Sequence, residues 1–293
     1  MTNIFYGTVL YYLTKLAFEK KHIDWFIKMV LWVVVVNLGY SILQILNYDF
    51  IYILSEQLRF TKIADTPSPN GFMGNSGITG ILYCLAIPLI ATRSRKSIWI
   101  AFLMLIPIFF LRAFTALMGG VVVLMFVLWF RVNKKIWLAI LGILIILCVV
   151  YLMYFDLPGL ERIRLWKFLL NDVNSHPIKG WGMDSFRKIT ELKHHIYTDN
   201  PNITHKPSLW DNPHNLYISL LFEFGFISLI LLGGYIRQLV LWFKNSLKEP
   251  NTIALAGFIL AFFVVSMGSF PIFLARMCVL IIPVFALYEI SIS

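Results

Sequence analysis

The stretch DNPHNLYISLLFEFG (211–225) sets His214 and Asn215 at the mouth of an apolar helix, with Glu223 nine residues further in. At the α-helical rise that carboxylate lies about 13 Å deeper. Asp211 or Asn212 can cap the helix and Pro213 suits its first position, which puts His214 in the first turn. Unpaired backbone N–H groups and the positive end of the helix dipole point outward there and favour an anion such as phosphate. The same field disfavours imidazolium, so His214 stays neutral near physiological pH and can take a proton from a hydroxyl. A surface histidine that only sits beside a helix cap has the same sequence.

Some forty residues upstream, LERIRLWKFLLNDV (160–173) reads as an amphipathic helix. Arg162, Trp166 and Leu169 share one face at i, i+4 and i+7, while Arg164 and Lys167 point elsewhere. A tryptophan and basic residues suit a helix lying at a membrane surface, and such a helix can still aim one guanidinium, a good phosphate ligand, into a cleft. HPIKGWGMDSF (176–186) follows, where Pro177 stops the helix and Gly180 and Gly182 flank Trp181. Glycines there permit positive φ and close backbone approach. Two charges stand in otherwise apolar runs, Glu223 and Arg276, and each needs a partner or a polar cavity. His194, His195 and His205 have no carboxylate or cysteine at ligand spacing, so no metal site is expected.

The elements that must position these residues are membrane helices. Of 293 residues, 59% are hydrophobic and only 14% charged, with mean hydropathy +0.77. A soluble chain is about half apolar and a quarter charged. The excess sits in runs such as IWLAILGILIILCVVYLMYF (136–155), long enough to cross a bilayer core of about 30 Å. Runs and breakers give about nine transmembrane helices: roughly 3–18, 24–46, 77–92, 97–111, 113–130, 135–155, 213–243, 252–269 and 271–290. The expected fold is an all-α polytopic membrane protein, one membrane domain over 1–293. A long loop, 156–212, carries the amphipathic helices.

Alternate short loops divide the basic residues unequally. One set holds thirteen: Lys15, Lys20, Lys21, Lys28, Arg93, Arg95, Lys96, Arg131, Lys134, Lys135, Arg237, Lys244 and Lys248. The other has Arg59, Lys62 and Arg112. The positive-inside bias makes the first set cytoplasmic, so the N-terminus and the loop 156–212 face outward and the C-terminus inward. The net charge of +10 is then a loop bias rather than a nucleic-acid surface. Cys84, Cys148 and Cys278 all fall in apolar runs, which speaks against a disulfide framework, and no signal-peptide pattern opens the chain.

In this order the pieces resemble the bacterial O-antigen ligase and O-antigen polymerase superfamily. RIRLWKFLLNDVNSHPIKGWGMDSF (162–186) looks like its R-x-x-x-W helix followed by a proline and G-x-G-x-x-x-F. DNPHNLYISLLFEFG looks like its H-N helix start with E-x-G, and GFMGNSGITG (71–80) like the polar turn opening an earlier span. The resemblance covers about residues 20–290. It implies a metal-independent, cofactor-free glycosyltransferase in the bacterial inner membrane. The donor would be a glycan on undecaprenyl diphosphate at the periplasmic face, and the acceptor a hydroxyl of lipid A core, a glycan or a protein. By position, Arg162 is the family's loop arginine and His214 its activating histidine. Trp166, Gly180, Gly182, Asn215, Glu223 and Arg276 are then expected around the substrate. Where the family carries an S-R pair, LRAFTALMGG (111–120) has Thr115, Ala116 and Leu117, and Arg112 is the nearest substitute, about one turn away. The chain also resembles a family member short by about three N-terminal spans, which an inactive remnant would match as well. A transporter of lipid-linked glycan is the rival class, but it should carry polar groups through the midplane of both halves; here they gather on the outward side.

Overall fold

A computed structural model describes residues 2–46, 48–49, 69–142, 160–182, 185–186, 188, 214–246, 249–269 and 275–292. Among these the fold is all-helical, with no strand. The helices are α1 (Thr2–Ala17), α2 (Ile23–Ile45), α3 (Ser76–Ala91), α4 (Ser97–Leu103), α5 (Leu105–Phe110), α6 (Phe114–Arg131), α7 (Leu160–Val173), α8 (Leu216–Phe224), α9 (Phe226–Ser246), α10 (Pro250–Val265) and α11 (Ala275–Ile292). Short 3₁₀ turns precede α2 and α3, at Lys20–His22 and Gly71–Met73. Residues 134–142 are helical as well. Two helical stretches, Lys20–Ile45 and Phe114–Arg131, are long and apolar enough to cross a membrane. Ser76–Ala91, Ser97–Phe110, Phe226–Gln238, Pro250–Val265 and Met277–Ile292 are apolar but shorter.

The chain divides into two compact units, residues 1–151 with 245–265 and 271–293, and residues 152–244 with 266–270. In the first, α3, α6 and α10 pack against one another, and α1 runs along α11. Small residues set how closely the three central helices approach. A Cβ at Gly257 of α10 would stand 2.6 Å from Pro88 Cβ, and one at Gly119 of α6 2.9 Å from both Cys84 Sγ and Val265 Cγ1. Helix α10 is apolar all round and buried along nearly its whole length, as expected of a central helix.

One end of this unit is laced by charge. Lys15, near the end of α1, meets Glu289 of α11 at 3.1 Å, and Lys20 meets Glu249, just before α10, at 3.4 Å. Asp24, at the start of α2, binds Arg93 beyond the end of α3, and Lys28 at 2.7 Å. Arg131, ending α6, donates to the Thr92 carbonyl. Lys15, Lys20, Lys28, Arg93 and Arg131 are five of the thirteen basic residues that the charge count put on one side.

Two expected spans are broken. Residues 97–111 form α4 and α5, divided at Met104, where Pro107 lacks the N–H that would bond back into the preceding turn. Residues 213–243 are not one helix either. The path stops at Gly225, whose φ of 62° and ψ of −157° no helix accommodates, and restarts at Phe226.

Candidate functional site

The second unit is built around the two sequence blocks. On α7 the residues Leu165, Leu169 and Val173 turn inward, and with Phe186 and Phe222 of α8 they make a small core to which Trp181, Ile218 and Leu221 are added. Lys167 and Asn171 stay exposed on the other side. Trp166 is half-buried. The backbone position of Arg162 falls one turn before Leu165 and Trp166 on that stripe, and its side chain lies outside the described residues.

The segment 176–182 then docks on the break between α8 and α9 through backbone. Trp181 N–H donates to Phe222 O and Gly182 N–H to Glu223 O, both at 2.9 Å, and Phe226 N–H donates to Pro177 O at 2.7 Å. Carbonyls at a helix end lack partners within their own helix, and here the G-W-G turn supplies two of them. The approach is too close for any side chain. A Cβ at Gly180 would stand 2.5 Å from Glu223 C and O, and one at Gly225 2.5 Å from Ile178 O and Pro177 O. Gly180 and Gly182, expected near a substrate, are engaged with α8 itself. The Trp181 indole reinforces the join, donating to Asp172 O at 3.1 Å and stacking at 6.2 Å on Phe222.

The start of α8 differs from the sequence expectation. The cap is Asn215, whose Oδ1 accepts from Ile218 N–H at 3.0 Å, and Leu216 is the first helical residue. His214 therefore precedes the cap instead of standing in the first turn. Asp211 and Asn212, the caps expected from sequence, and Pro213, expected at the first helical position, lie outside the described residues. Leu216 N–H donates to Ser266 O at 2.9 Å, and Asn215 Nδ2 to Met267 O at 2.9 Å. Two of the N–H groups expected to face an anion are thus occupied, one by the cap and one by the turn after α10. A phosphate here would have to be held chiefly by side chains.

His214 itself is half-buried with φ at 51°. Glu223 is half-buried just ahead of the break at Gly225. Its expected pairing with Arg276 falls outside the described residues, as does the Arg276 side chain at the start of α11. So do His194, His195, His205 and Cys148, while Cys84 and Cys278 are not disulfide-bonded. No group of three or more His, Cys, Asp or Glu side chains gathers among the described residues.

A second polar constellation, in the first unit, went unread in the sequence. Asn37, Ser41 and Gln44 recur at i, i+4 and i+7 on the buried face of α2. Gln44 Oε1 accepts from the Asn70 and Gly71 N–H groups at 2.9 and 2.8 Å, and Asn37 Oδ1 accepts from Phe72 N–H at 2.7 Å. Asn37 Nδ2 donates to the Tyr83 hydroxyl at 3.0 Å, which also meets Ser41 Oγ at 3.0 Å. Asp49 joins through Tyr40 and through Gln44 Nε2 at 3.0 Å. The network clamps the turn GFM (71–73) that leads to α3, whose first turn Asn75 caps. Its signal was the spacing of three polar residues inside an apolar run.

Arg112 lies between α5 and α6, exposed, with φ at 52°; its backbone N–H donates to Phe109 O at 2.9 Å, and its side chain makes no hydrogen bond or ion pair among the described residues. Compared with known proteins, the chain matches no family model and no curated sequence.

Proposed function

We propose that this chain is a polytopic membrane glycosyltransferase of about nine spans, with the N-terminus and the loop 156–212 on the periplasmic side of the bacterial inner membrane. It transfers a glycan from undecaprenyl diphosphate to a hydroxyl of lipid A core, a glycan or a protein. Two lines of support bear on the membrane part. Large apolar side chains are exposed along most helices, among them Leu16 at 84%, Trp32 at 68%, Trp99 at 71% and Ile230 at 75%, a surface that water does not tolerate over such an area. Helix α2 is also polar on its inner face, at Asn37, Ser41 and Gln44, and apolar on its outer one, at Trp25, Trp32 and Val36. That is the polarity expected where hydrocarbon is the solvent.

The observation that carries the transferase reading is the docking of the two blocks. Residues 160–186 and 214–226 are separated by 27 residues in the sequence, yet they share one core and a backbone interlock. Each block resembles a conserved element of the same enzyme family, and such elements are expected to meet. In this reading Arg162 grips the diphosphate, because a guanidinium binds two phosphate oxygens at once, and His214 takes the proton of the acceptor hydroxyl. Asn215 fixes the helix start that carries His214, and the glycines position rather than bind.

Gel profiling of surface glycans in a deletion strain tests this. Loss of all long glycan with accumulation of the lipid-linked donor supports a ligase, and capping with single repeats supports a polymerase. An unchanged profile, with no build-up of any lipid-linked glycan, rules the transferase out.

A further inference from the structure

We propose that the cleft bounded by α2, α3, α4 and α5 holds one hydrocarbon chain of a membrane glycerophospholipid, whose singly charged phosphodiester meets Arg112. The proposal rests on the membrane embedding proposed above and is independent of the transferase chemistry.

The cleft measures about 370 Å³ and is walled by Leu38, Ile45, Leu103, Pro107, Phe110 and Leu111 among others. Its two polar wall residues, Ser41 and Tyr83, turn their hydroxyls to each other at 3.0 Å, and Tyr83 also takes the Asn37 bond. The surface left to an occupant is hydrocarbon. Apolar cavities of this kind stay dry, and one of about 150 Å³ already takes a benzene ring. Leu103 and Phe110 are 59% and 68% exposed, so the cleft is open along its length rather than sealed in the core. A bilayer supplies one abundant occupant for such an opening, an acyl chain.

The headgroup follows from charge. Leu111 forms part of the wall, and Arg112 succeeds it directly, exposed, its guanidinium in no hydrogen bond or ion pair among the described residues. It is the one lysine or arginine among the described residues of 38–49, 69–91 and 97–130, the segments around the cleft. A single guanidinium matches a phosphodiester of one negative charge. The position also suits the depth. The cleft runs along the last turns of α2 and the length of α5, and Arg112 stands where α5 ends, as a cation at the edge of the hydrocarbon does.

Native mass spectrometry of the full chain, purified in detergent and titrated with phosphatidylglycerol, tests the site. One phosphatidylglycerol should bind per chain, and diacylglycerol, which lacks the phosphate, should bind at least tenfold more weakly. Leu103→Trp, a change at an exposed wall position that core packing tolerates, should weaken phosphatidylglycerol at least tenfold by filling the cleft. Arg112→Gln should do the same and erase the preference over diacylglycerol. Absence of bound lipid on the wild-type chain overturns the proposal, as does wild-type affinity in both variants. Displacement of phosphatidylglycerol by undecaprenyl diphosphate at a tenfold lower concentration also overturns it, by giving the cleft to the donor. Release of the chain from membranes by alkaline carbonate would defeat the embedding itself, which distinguishes that failure from a failure of the site.

Discussion

Replacing Gly180 by alanine should open the join between the two blocks without unfolding the helices. The added methyl would stand 2.5 Å from Glu223 C and O and 2.6 Å from Gly225 N, all of them backbone atoms that cannot swing aside. The residue also sits at φ 66°, where an L side chain costs about 1–2 kcal/mol. If the segment withdraws, the bonds from Trp181 and Gly182 to Phe222 and Glu223 are lost, each worth about 1 kcal/mol net. Opening loses those bonds in the wild-type chain as well, so the least that the change adds is the φ cost of about 1–2 kcal/mol, and at about 1.4 kcal/mol per factor of ten the open population rises on the order of tenfold or more. Amide hydrogen exchange of the detergent-solubilised chain reads this directly, because exchange follows the open population when reclosing is fast. The Trp181 and Gly182 amides should lose protection by about that factor while α3, α6 and α10 keep theirs. Gly233→Ala is the matched control. It lies in α9 with nothing within 4 Å of its Cβ position, so alanine should add about 1 kcal/mol to the helix and leave 176–182 unchanged. Protection at Trp181 and Gly182 that survives Gly180→Ala would show that the close approach is not what holds the segment.

Orientation can be read with single cysteines: one at Asn200 should react with an impermeant reagent in intact spheroplasts and one at Asn133 should not, and the reverse result inverts the topology. Arg162→Lys keeps the charge but loses the planar fork, and transfer should fall tenfold or more, about 1.4 kcal/mol in the barrier; an unchanged rate would leave Arg162 as a surface-helix residue. Asn215→Ala removes the cap and the tie to Met267, which should destabilise the start of α8 by about 2–3 kcal/mol, seen as faster amide exchange at Ile218. His214→Ala and His214→Gly should both abolish transfer, yet the glycine variant should be the more stable by about 1 kcal/mol, because it alone is at ease at φ 51°. Equal stability of the two, or residual transfer in either, would count against a histidine held there for proton transfer.

The helical class and most boundaries were legible because they rest on runs of hydrophobicity and on breakers, which are local. The turn before α3 and the cap at Asn75 fall where GFMGNSG announces them. The break at Gly225 was not legible. FEFGF reads as continuous apolar helix, and a lone glycine within a helix normally costs only about 1 kcal/mol. What stops the helix is the segment 177–182, more than forty residues upstream, which fits only against a bare backbone. Of the two glycines in the G-x-G, Gly180 makes the close backbone approach that the signal allows, but its partner is the chain itself, which composition cannot say.

The start of α8 shows the same limit more sharply. Several neighbouring residues could cap it on sequence, and all caps look alike until the third partner is known. Asn215 satisfies both demands at once, with Oδ1 on the helix and Nδ2 on Met267 O, and this fixes the cap one residue past the histidine. His214 is left in the chain that enters the cap, where its backbone is forced into the left-handed region. Among the described residues the only non-glycine positions with positive φ are His214 and Arg112. Histidine tolerates that region better than most residues, yet glycine would be easier at either place. Strain of this kind persists where the surroundings impose it and the side chain is wanted. Neither residue was singled out in the sequence by its backbone; His214 was chosen because its side chain can move a proton, and Arg112 because it is the arginine nearest the place of the family's S-R pair. That two independent criteria, side-chain chemistry and backbone strain, fall on the same pair is the strongest physical reason to test these two positions first.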